Sequence, residues 1–248
     1  MPNAITNTDN LQRLLTPKNE TEESLDLYFY GDIVSDWWGA WTQEDQYPTS
    51  VKNFMERANG RKINVHINSG GGSVFGGMAI YNLLRNYEGE VVTYVDGQAA
   101  SIASVIALAG DRIVMRTGSV MMIHKPLYQV RGAYNADGFR RLADDLDEIQ
   151  KAIMQVYKVN KHPDADAEDI EDKVNKQTWM TAEKAAACFD RIEVENIEAI
   201  AVASSDYIAQ FVQECPPQFA QGKLNDENKN IRAQRAREIE IMEMEEIK

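Results

Sequence analysis

INVHINSGGGS, residues 63–73, is the stretch of sequence that decides the fold. Its first part, Ile63–Ile67, is rich in β-branched residues and predicts a strand, which ends in a glycine loop. Val74–Tyr87 then carries apolar residues at helical spacing and predicts a helix. The next two segments repeat this order, with a strand at Val91–Val95 and a buried helix of small apolar residues at Ala99–Ala109. Strand–helix–strand–helix order predicts an α/β core with parallel strands.

The remaining segments extend this core in both directions. Strands are predicted at Leu25–Tyr30, Arg112–Met115 and Val120–Ile123, with a last strand or apolar strip at Ile197–Val202. Helices are predicted at Val51–Asn59, Asn135–Asn160, within 163–172, and at Thr181–Ala187 with Thr181 as cap. Residues 35–48, which hold Trp37, Trp38 and Trp41, form an irregular insertion or a short helix. We therefore expect a flexible N-terminal arm over 1–23, one folded domain over 24–205, and a charged, helix-prone C-terminal extension over 206–248.

Charge and cysteine content exclude several classes of protein. The chain has 248 residues, 26 basic and 39 acidic, and a net charge of −13. A dedicated nucleic-acid binder needs a basic face, and an anionic membrane repels an acidic protein, so neither partner is expected. Cys188 and Cys215 are expected to be free thiols in a reducing compartment. The longest nearly apolar run, Ala99–Gly110, is too short to cross a bilayer, so a soluble cytoplasmic protein is expected.

Two loops carry candidate chemistry. The three glycines of Ser69–Ser73 expose backbone amides at a helix start, which suits a phosphate loop, an oxyanion hole or a plain tight turn. The lysine of a phosphate-binding P-loop is missing. In the second loop, Gly97–Ser101, the hydroxyl of Ser101 begins a helix of small residues and is either a nucleophile or a helix cap.

Three histidines and one lysine are candidate bases. His66 lies within a predicted strand and is expected to pack on the sheet, and His162 lies in an acidic, solvated loop. His124 follows the apolar strand Val120–Ile123 and is placed at the sheet edge near the other loop ends. Lys125 beside it is expected to be a solvated surface lysine, with a serine–lysine pair as the alternative.

Taken together, INSGGGSVFGGMAIYN, GQAAS, MMIHKP and TWMTAEKA resemble the proteolytic subunit of Clp protease (ClpP), in order and at nearly the family's spacing. The resemblance covers roughly residues 25–200. Glycine in place of the proline that housekeeping members carry after INS, and the TWMTAE phrase, resemble the phage and prophage branch, whose members act in head maturation. The resemblance implies a ClpP/crotonase-like spiral of strand–strand–helix units with a protruding handle helix.

The resemblance also assigns site residues. It makes Ser101 the nucleophile and His124 the general base, with the amides of Gly72 and Ile102 as the oxyanion hole and Gly71 helping to shape it. The segment Gly132–Asn135 would begin the wall of the substrate groove. No metal or other cofactor is implied.

Two positions depart from the family pattern. Where the family has its third catalytic residue, an acid, this chain has Gln177, which could orient His124 through its side-chain oxygen but cannot supply charge. Glu171 and Asp172 lie upstream at spacings that do not match. Cys188–Ile192 replaces a family turn that contains glycine, which is expected to change the local packing.

The leading hypothesis is a serine endopeptidase that hydrolyses polypeptides inside a ring-shaped homo-oligomer, with heptameric rings stacked in pairs. An AAA+ unfoldase or a phage capsid or scaffold protein is the expected partner. The alternatives are an assembly protein with this fold and weak or no peptidase activity, and a crotonase-type acyl-CoA enzyme. Residues 142–172 hold three basic and ten acidic residues. In the family this region is the handle between rings, so salt is expected to favour stacking.

Overall fold

The computed structural model describes residues 20–36, 39–40 and 45–196. These residues form seven strands and six helices. In chain order they are β1 (Ser24–Phe29), α1 (Pro48–Ala58), β2 (Lys62–Ser69), α2 (Val74–Arg85), β3 (Val91–Ala100), α3 (Ile102–Ala107), β4 (Arg112–Arg116), β5 (Val120–Ile123), α4 (Ala136–Val159), α5 (Ala167–Asn175), β6 (Thr178–Thr181), α6 (Ala182–Cys188) and β7 (Ile192–Glu195). Several predictions lie outside the described residues: most of the arm, the three tryptophans, Cys215, the strip at 197–202 and the extension at 206–248.

A parallel sheet forms the centre of the fold, in the order β1-β2-β3-β4-β7. The predicted α/β core with parallel strands is therefore confirmed. Every second residue is buried in both β1 and β2, because one face of the sheet packs against helices. Within the described residues, no helix combines the length and the apolar character needed to cross a bilayer.

Strand β3 is longer than the sequence predicted, and it has two partners on one side. Its first half, Val92–Val95, pairs with β4, and its second half, Gln98–Ala100, pairs with β5. The prediction of a loop over Gly97–Ser101 was therefore wrong for all but its last residue. The predicted helix from Ala99 begins at Ile102 instead, because Ala99 and Ala100 are taken up by the pairing with β5.

Two short strands were not predicted. Strand β6 pairs antiparallel with β5, and β7 pairs parallel with β4 at the edge of the sheet. Each has only four residues, so its pairing partner rather than its own sequence pattern decides its conformation. Thr181 does stand at the N-cap of α6, as predicted, but its side chain makes no capping hydrogen bond.

Helices α3 and α4 place the functional groups relative to this sheet. All six residues of α3 are buried behind the sheet edge where β3 ends. Only the last part of α4 is buried, at Ile153, Met154, Val156 and Tyr157, while most of its first half is exposed. The buried end of α4 therefore reaches α3, and the other end extends into solvent.

Candidate active site

Ser101 stands at the junction of β3 and α3 in a strained conformation. Its φ of 56° and ψ of −128° are rare for a residue with a side chain. The N–H of Ser101 donates to the carbonyl oxygen of Met122 in β5, at 2.9 Å, which holds this turn against the neighbouring strand. The sequence placed Ser101 at a helix start as either a cap or a nucleophile. Its side chain makes no capping hydrogen bond, and the hydroxyl is free for other partners.

His124 is the partner of that hydroxyl. Its Nε2 lies 2.7 Å from Ser101 Oγ. His124 comes directly after β5, and β5 pairs with the end of β3, so the sheet register brings the two residues together. Burial of the ring lowers the pKa of His124 below its usual range, because the charged form loses hydration. A neutral imidazole at neutral pH is the state that can accept a proton from a hydroxyl.

The glycine loop after β2 lies against the strand-like segment at Ile33. The N–H of Ile33 donates to Gly71 O at 2.9 Å, and the N–H of Ser73 donates to Ile33 O at 2.6 Å. Ile33 and Gly72 form a parallel bridge, whose hydrogen bonds are made by the residues on either side of Gly72. The N–H of Gly72 itself therefore points away from Ile33. A Cβ on Gly72 would come within 2.1 Å of Ile33 O, so only glycine fits there.

Gly71 lies directly against the serine. A Cβ at this position would be 2.7 Å from Ser101 Cβ and 2.8 Å from Ala100 O. The N–H of Ile102 belongs to the first residue of α3 and has no acceptor within the helix. Within the described residues, the amides of Gly72 and Ile102 thus lack the hydrogen-bond acceptors that a regular strand or helix would provide, and the neighbouring Gly71 lies against Ser101.

Gln177 lies beside His124 in the sheet register but is not bonded to it. The last pair of the β5–β6 ladder joins Ile123 to Thr178, so His124 and Gln177 are each one residue beyond it. Gln177 has a φ of 50° and is exposed, and no hydrogen bond joins it to His124 within the described residues. The structure thus does not place the Gln177 side chain in the orienting contact that the resemblance implied.

The two upstream acids are engaged elsewhere. Glu171 lies 3.6 Å from Lys158, and Asp172 lies 3.0 Å from Lys176. Among the described residues, burial is the cause of the lowered pKa of His124, and no carboxylate opposes it. The serine and histidine thus form a pair whose third position carries no charge.

The other candidate bases lie outside this pair. Lys125 is exposed, as expected of a surface lysine. His66 packs on the sheet, as predicted, stacked between Tyr28 and Tyr94 with Nδ1 2.8 Å from Asp96. Gly132–Asn135 is exposed and lies in the irregular segment before α4. Within the described residues, no cluster of three or more His, Cys, Asp or Glu side chains is placed to hold a metal ion.

A small apolar cavity adjoins the Ser101–His124 pair. Five further side chains line it beside Ser101, Ile102 and His124: Val74, Val105, Pro126, Ile153 and Tyr157. Its volume is about 10 Å³, which is room for about one water molecule. The cavity can accept only a small apolar group next to the hydroxyl unless its walls move.

Comparison with known proteins shows the family to which the chain belongs. A family model described as Clp protease matches residues 52–188, which is more than half of the chain. The chain belongs to the Clp protease family. The ATP-dependent Clp protease proteolytic subunit of Porphyromonas gingivalis is 31% identical over 156 residues, covering 58% of this chain and 66% of the relative. This chain therefore aligns with just under two thirds of that Clp subunit's length.

Sequence reasoning missed three parts of the site. Ile33 braces the glycine loop, Ser104 bonds to the backbone of Ser101, and Tyr157 bonds to Ser104. Ser104 follows Ser101 by one helical turn, a spacing that was available from the sequence. Tyr157 is 53 residues away from Ser104, and no local pattern marks it.

Proposed function

We propose that this Clp family member is a serine endopeptidase in which Ser101 is the nucleophile and His124 the general base. The observation that carries the proposal is the 2.7 Å contact between His124 Nε2 and Ser101 Oγ. The flanking amides of Gly72 and Ile102 supply the oxyanion hole, and Gly71 lets the loop approach the serine. Gln177 could orient His124 only if its side chain adopted another rotamer.

The reaction follows from these positions. His124 Nε2 takes the hydroxyl proton as Ser101 Oγ bonds to the carbonyl carbon of the substrate. The negative charge on the former carbonyl oxygen is stabilised by the N–H groups of Gly72 and Ile102. The intermediate then expels the amine, which receives the proton from His124, and leaves an acyl group on Ser101. Water, activated by the same histidine, hydrolyses this ester and restores the serine.

The cavity beside the serine supports a proposal about which bonds are cleaved. Its apolar walls favour an uncharged side chain before the scissile bond, because a charged group there would lose hydration without a partner. Its small volume favours a short side chain such as that of alanine. A peptide series that varies only this side chain measures the preference.

The resemblance and the similar Clp subunit support a homo-oligomeric ring as the working form. We propose that heptameric rings, stacked in pairs, enclose the sites, so that only unfolded polypeptides reach Ser101. The name of the Porphyromonas gingivalis relative includes ATP dependence, which supports an AAA+ unfoldase as one partner. The phage-like INSGGG and TWMTAE phrases support a capsid or scaffold protein as the substrate in head maturation, and a cytoplasmic site of action.

Labelling with a fluorophosphonate probe tests the proposal. We expect the unchanged chain to be labelled on Ser101 and to cleave an unfolded polypeptide, and Ser101→Ala to lose both properties. His124→Ala should lose labelling while keeping its assembly state. Absence of labelling in well-assembled wild-type protein contradicts the peptidase assignment.

A second candidate function is an assembly protein that keeps the Clp fold with weak or no peptidase activity. The observation that favours it is the uncharged third position, since replacing the acid of a triad by its amide costs about 10⁴ in rate in chymotrypsin-type enzymes. Assembled but unlabelled protein is the result expected for this candidate. A crotonase-type acyl-CoA enzyme is opposed by the Ser101–His124 contact, which is the arrangement of a serine nucleophile and its general base.

A further inference from the structure

A chain of buried hydroxyl groups connects α4 to the backbone of Ser101. Ser104 Oγ lies 2.6 Å from the carbonyl oxygen of Ser101, and the hydroxyl of Tyr157 lies 2.8 Å from Ser104 Oγ. Both side chains are buried, with exposures of 0% and 1%. A carbonyl oxygen only accepts, so Ser104 donates its hydroxyl proton to Ser101. The Tyr157 hydroxyl must then donate to Ser104 Oγ, which gives the chain one direction.

The carbonyl at the end of this chain belongs to the same peptide unit as the amide of Ile102. The described peptide bonds include no cis bond, so C=O of Ser101 and N–H of Ile102 point in opposite directions within one plane. The N–H of Ser104 donates to the same carbonyl at 3.0 Å. The hydroxyl and the N–H of Ser104 both hold this oxygen, which fixes the direction of the Ile102 N–H.

The local strain makes such a restraint necessary. Ser101 has a φ of 56°, and its own N–H is bonded to Met122 on the opposite side of the turn. A residue held in a sparsely populated conformation relaxes unless its surroundings determine it. The Ser101–Ile102 peptide is the part of this turn that must keep its orientation if the N–H is to meet an oxyanion.

We propose that Ser104 and Tyr157 are positioning residues, which hold the Ser101 carbonyl so that the Ile102 N–H is aimed at the oxyanion of the transition state. The inference rests on the proposed function, because it requires Ser101 to be the nucleophile. Tyr157 also lines the cavity beside Ser101, so one side chain contacts the substrate pocket and supports the oxyanion donor.

The alternative explanation is that these hydroxyls only satisfy one another in the core. Two matched controls separate the explanations. Thr93 Oγ1 donates to Ala107 O at 2.8 Å and so bonds a buried hydroxyl to the other end of α3. The hydroxyl of Tyr81 accepts from Asn160 Nδ2 at 3.0 Å and is a second buried tyrosine hydroxyl. Thr93→Val and Tyr81→Phe remove comparable bonds away from Ser101.

The experiment compares Ser104→Ala and Tyr157→Phe with these two controls in the assembled full-length protein. Steady-state cleavage of a peptide gives kcat and KM, and fluorophosphonate gives the second-order rate of Ser101 labelling. We expect Ser104→Ala and Tyr157→Phe to lower kcat and the labelling rate about tenfold with KM unchanged, because the affected interaction forms only in the transition state. The controls should stay within about twofold of wild type while showing a similar fall in Tm.

The double variant Ser104→Ala/Tyr157→Phe tests the direction of the chain. Because the Tyr157 hydroxyl acts through that of Ser104, the double variant should be no slower than Ser104→Ala alone. If the rate losses of the two single variants multiply in the double variant, Tyr157 does not act through Ser104 and this part of the inference is overturned. Equal rates in all four single variants, or equal losses in all four, overturn the positioning role while leaving the peptidase assignment intact. A wild-type chain that is not labelled at Ser101 refutes the proposed function, and this inference with it.

Discussion

At the scale of the residue, the site is a strained serine held by its neighbours. Ser101 is bonded at its N–H by Met122 and at its carbonyl by Ser104, and Gly71 closes one side of it. These contacts leave the hydroxyl directed to His124. What the site lacks is a negative charge, since the imidazolium that the proposed reaction would form has no carboxylate partner among the described residues.

The pH dependence of activity should show that His124 has no negatively charged partner. His124 must be neutral to act as a base, and burial lowers its pKa, so kcat/KM should rise with pH through a midpoint below the usual histidine range. Gln177→Glu places a carboxylate next to His124 in the register and should move this midpoint upward by about one pH unit. It should also raise kcat up to about tenfold, because a nearby negative charge stabilises the imidazolium.

Gln177→Ala is the matched control for that change. It removes the amide without adding charge, so its pH profile should match that of wild type if Gln177 does not bond to His124. A profile of Gln177→Glu that coincides with wild type would show that position 177 does not reach the histidine. The pH–rate profile of peptide cleavage, measured with all three proteins, decides between these outcomes.

The resemblance to the Clp family assigned Ser101 and His124, whereas their local patterns alone left Ser101 as a cap or a nucleophile and His124 as one of several candidate bases. Their contact depends on the pairing of β3 with β5, which the sequence did not reveal. The supporting hydroxyls of Ser104 and Tyr157 were missed because a buried polar residue on a helix has no distinguishing pattern until its partner is known. Neighbours along the chain were predictable, whereas partners across the fold were not.

At the scale of the element, the turn between α6 and β7 is held by hydrogen bonds from Arg191. Arg191 has a φ of 63°, a conformation that normally favours glycine. Its guanidinium donates to Gly110 O at 2.6 Å, to Leu108 O at 3.3 Å and to the side-chain oxygen of Asn160. The Arg191 bonds therefore join this turn to the segment after α3 and to the end of α4.

Two substitutions separate the strain of Arg191 from its bonds. Arg191→Ala should lower the free energy of unfolding by about 2–4 kcal/mol, because it removes charged donors and keeps a side chain at positive φ. Arg191→Gly loses the same bonds but relieves the strain, so it should be about 1 kcal/mol more stable than Arg191→Ala. Urea unfolding of the three proteins measures both differences. Equal stability of the two variants would show that the positive φ costs nothing.

The length of each element decided whether the sequence could predict it. Strand β2 and helix α2 were predictable because each has enough residues to display a period. Strands β6 and β7 have four residues each, and the end of β3 contains Gly97 and two alanines, so none of them displays one. Their conformation is set by hydrogen bonds to neighbouring strands, which are tertiary information.

At the scale of the whole molecule, α4 carries both an apolar stripe and a group of exposed acidic side chains. Phe139, Leu142, Leu146 and Ile149 follow one another at spacings of three and four residues, and Phe139 is 55% exposed. Such a stripe on a projecting helix favours pairing with another helix. The same stretch carries five exposed acids: Asp137, Asp144, Asp145, Asp147 and Glu148. Attraction between apolar stripes and repulsion between carboxylates therefore act together wherever two copies of α4 meet.

Stacking of the proposed rings should consequently depend on salt. At about 10 mM salt the Debye length is near 30 Å, so the acids on two α4 helices repel each other. At about 150 mM salt it is near 8 Å, and this repulsion is screened. Sedimentation velocity should therefore show more stacked rings as salt rises, and fewer as pH rises above the carboxylate range. Asp144→Asn/Asp145→Asn should stack at lower salt than wild type, whereas Glu56→Gln/Glu88→Gln, with the same change of charge away from α4, should not. Assembly that is unchanged from low to high salt would show that the acids of α4 do not face one another across an interface.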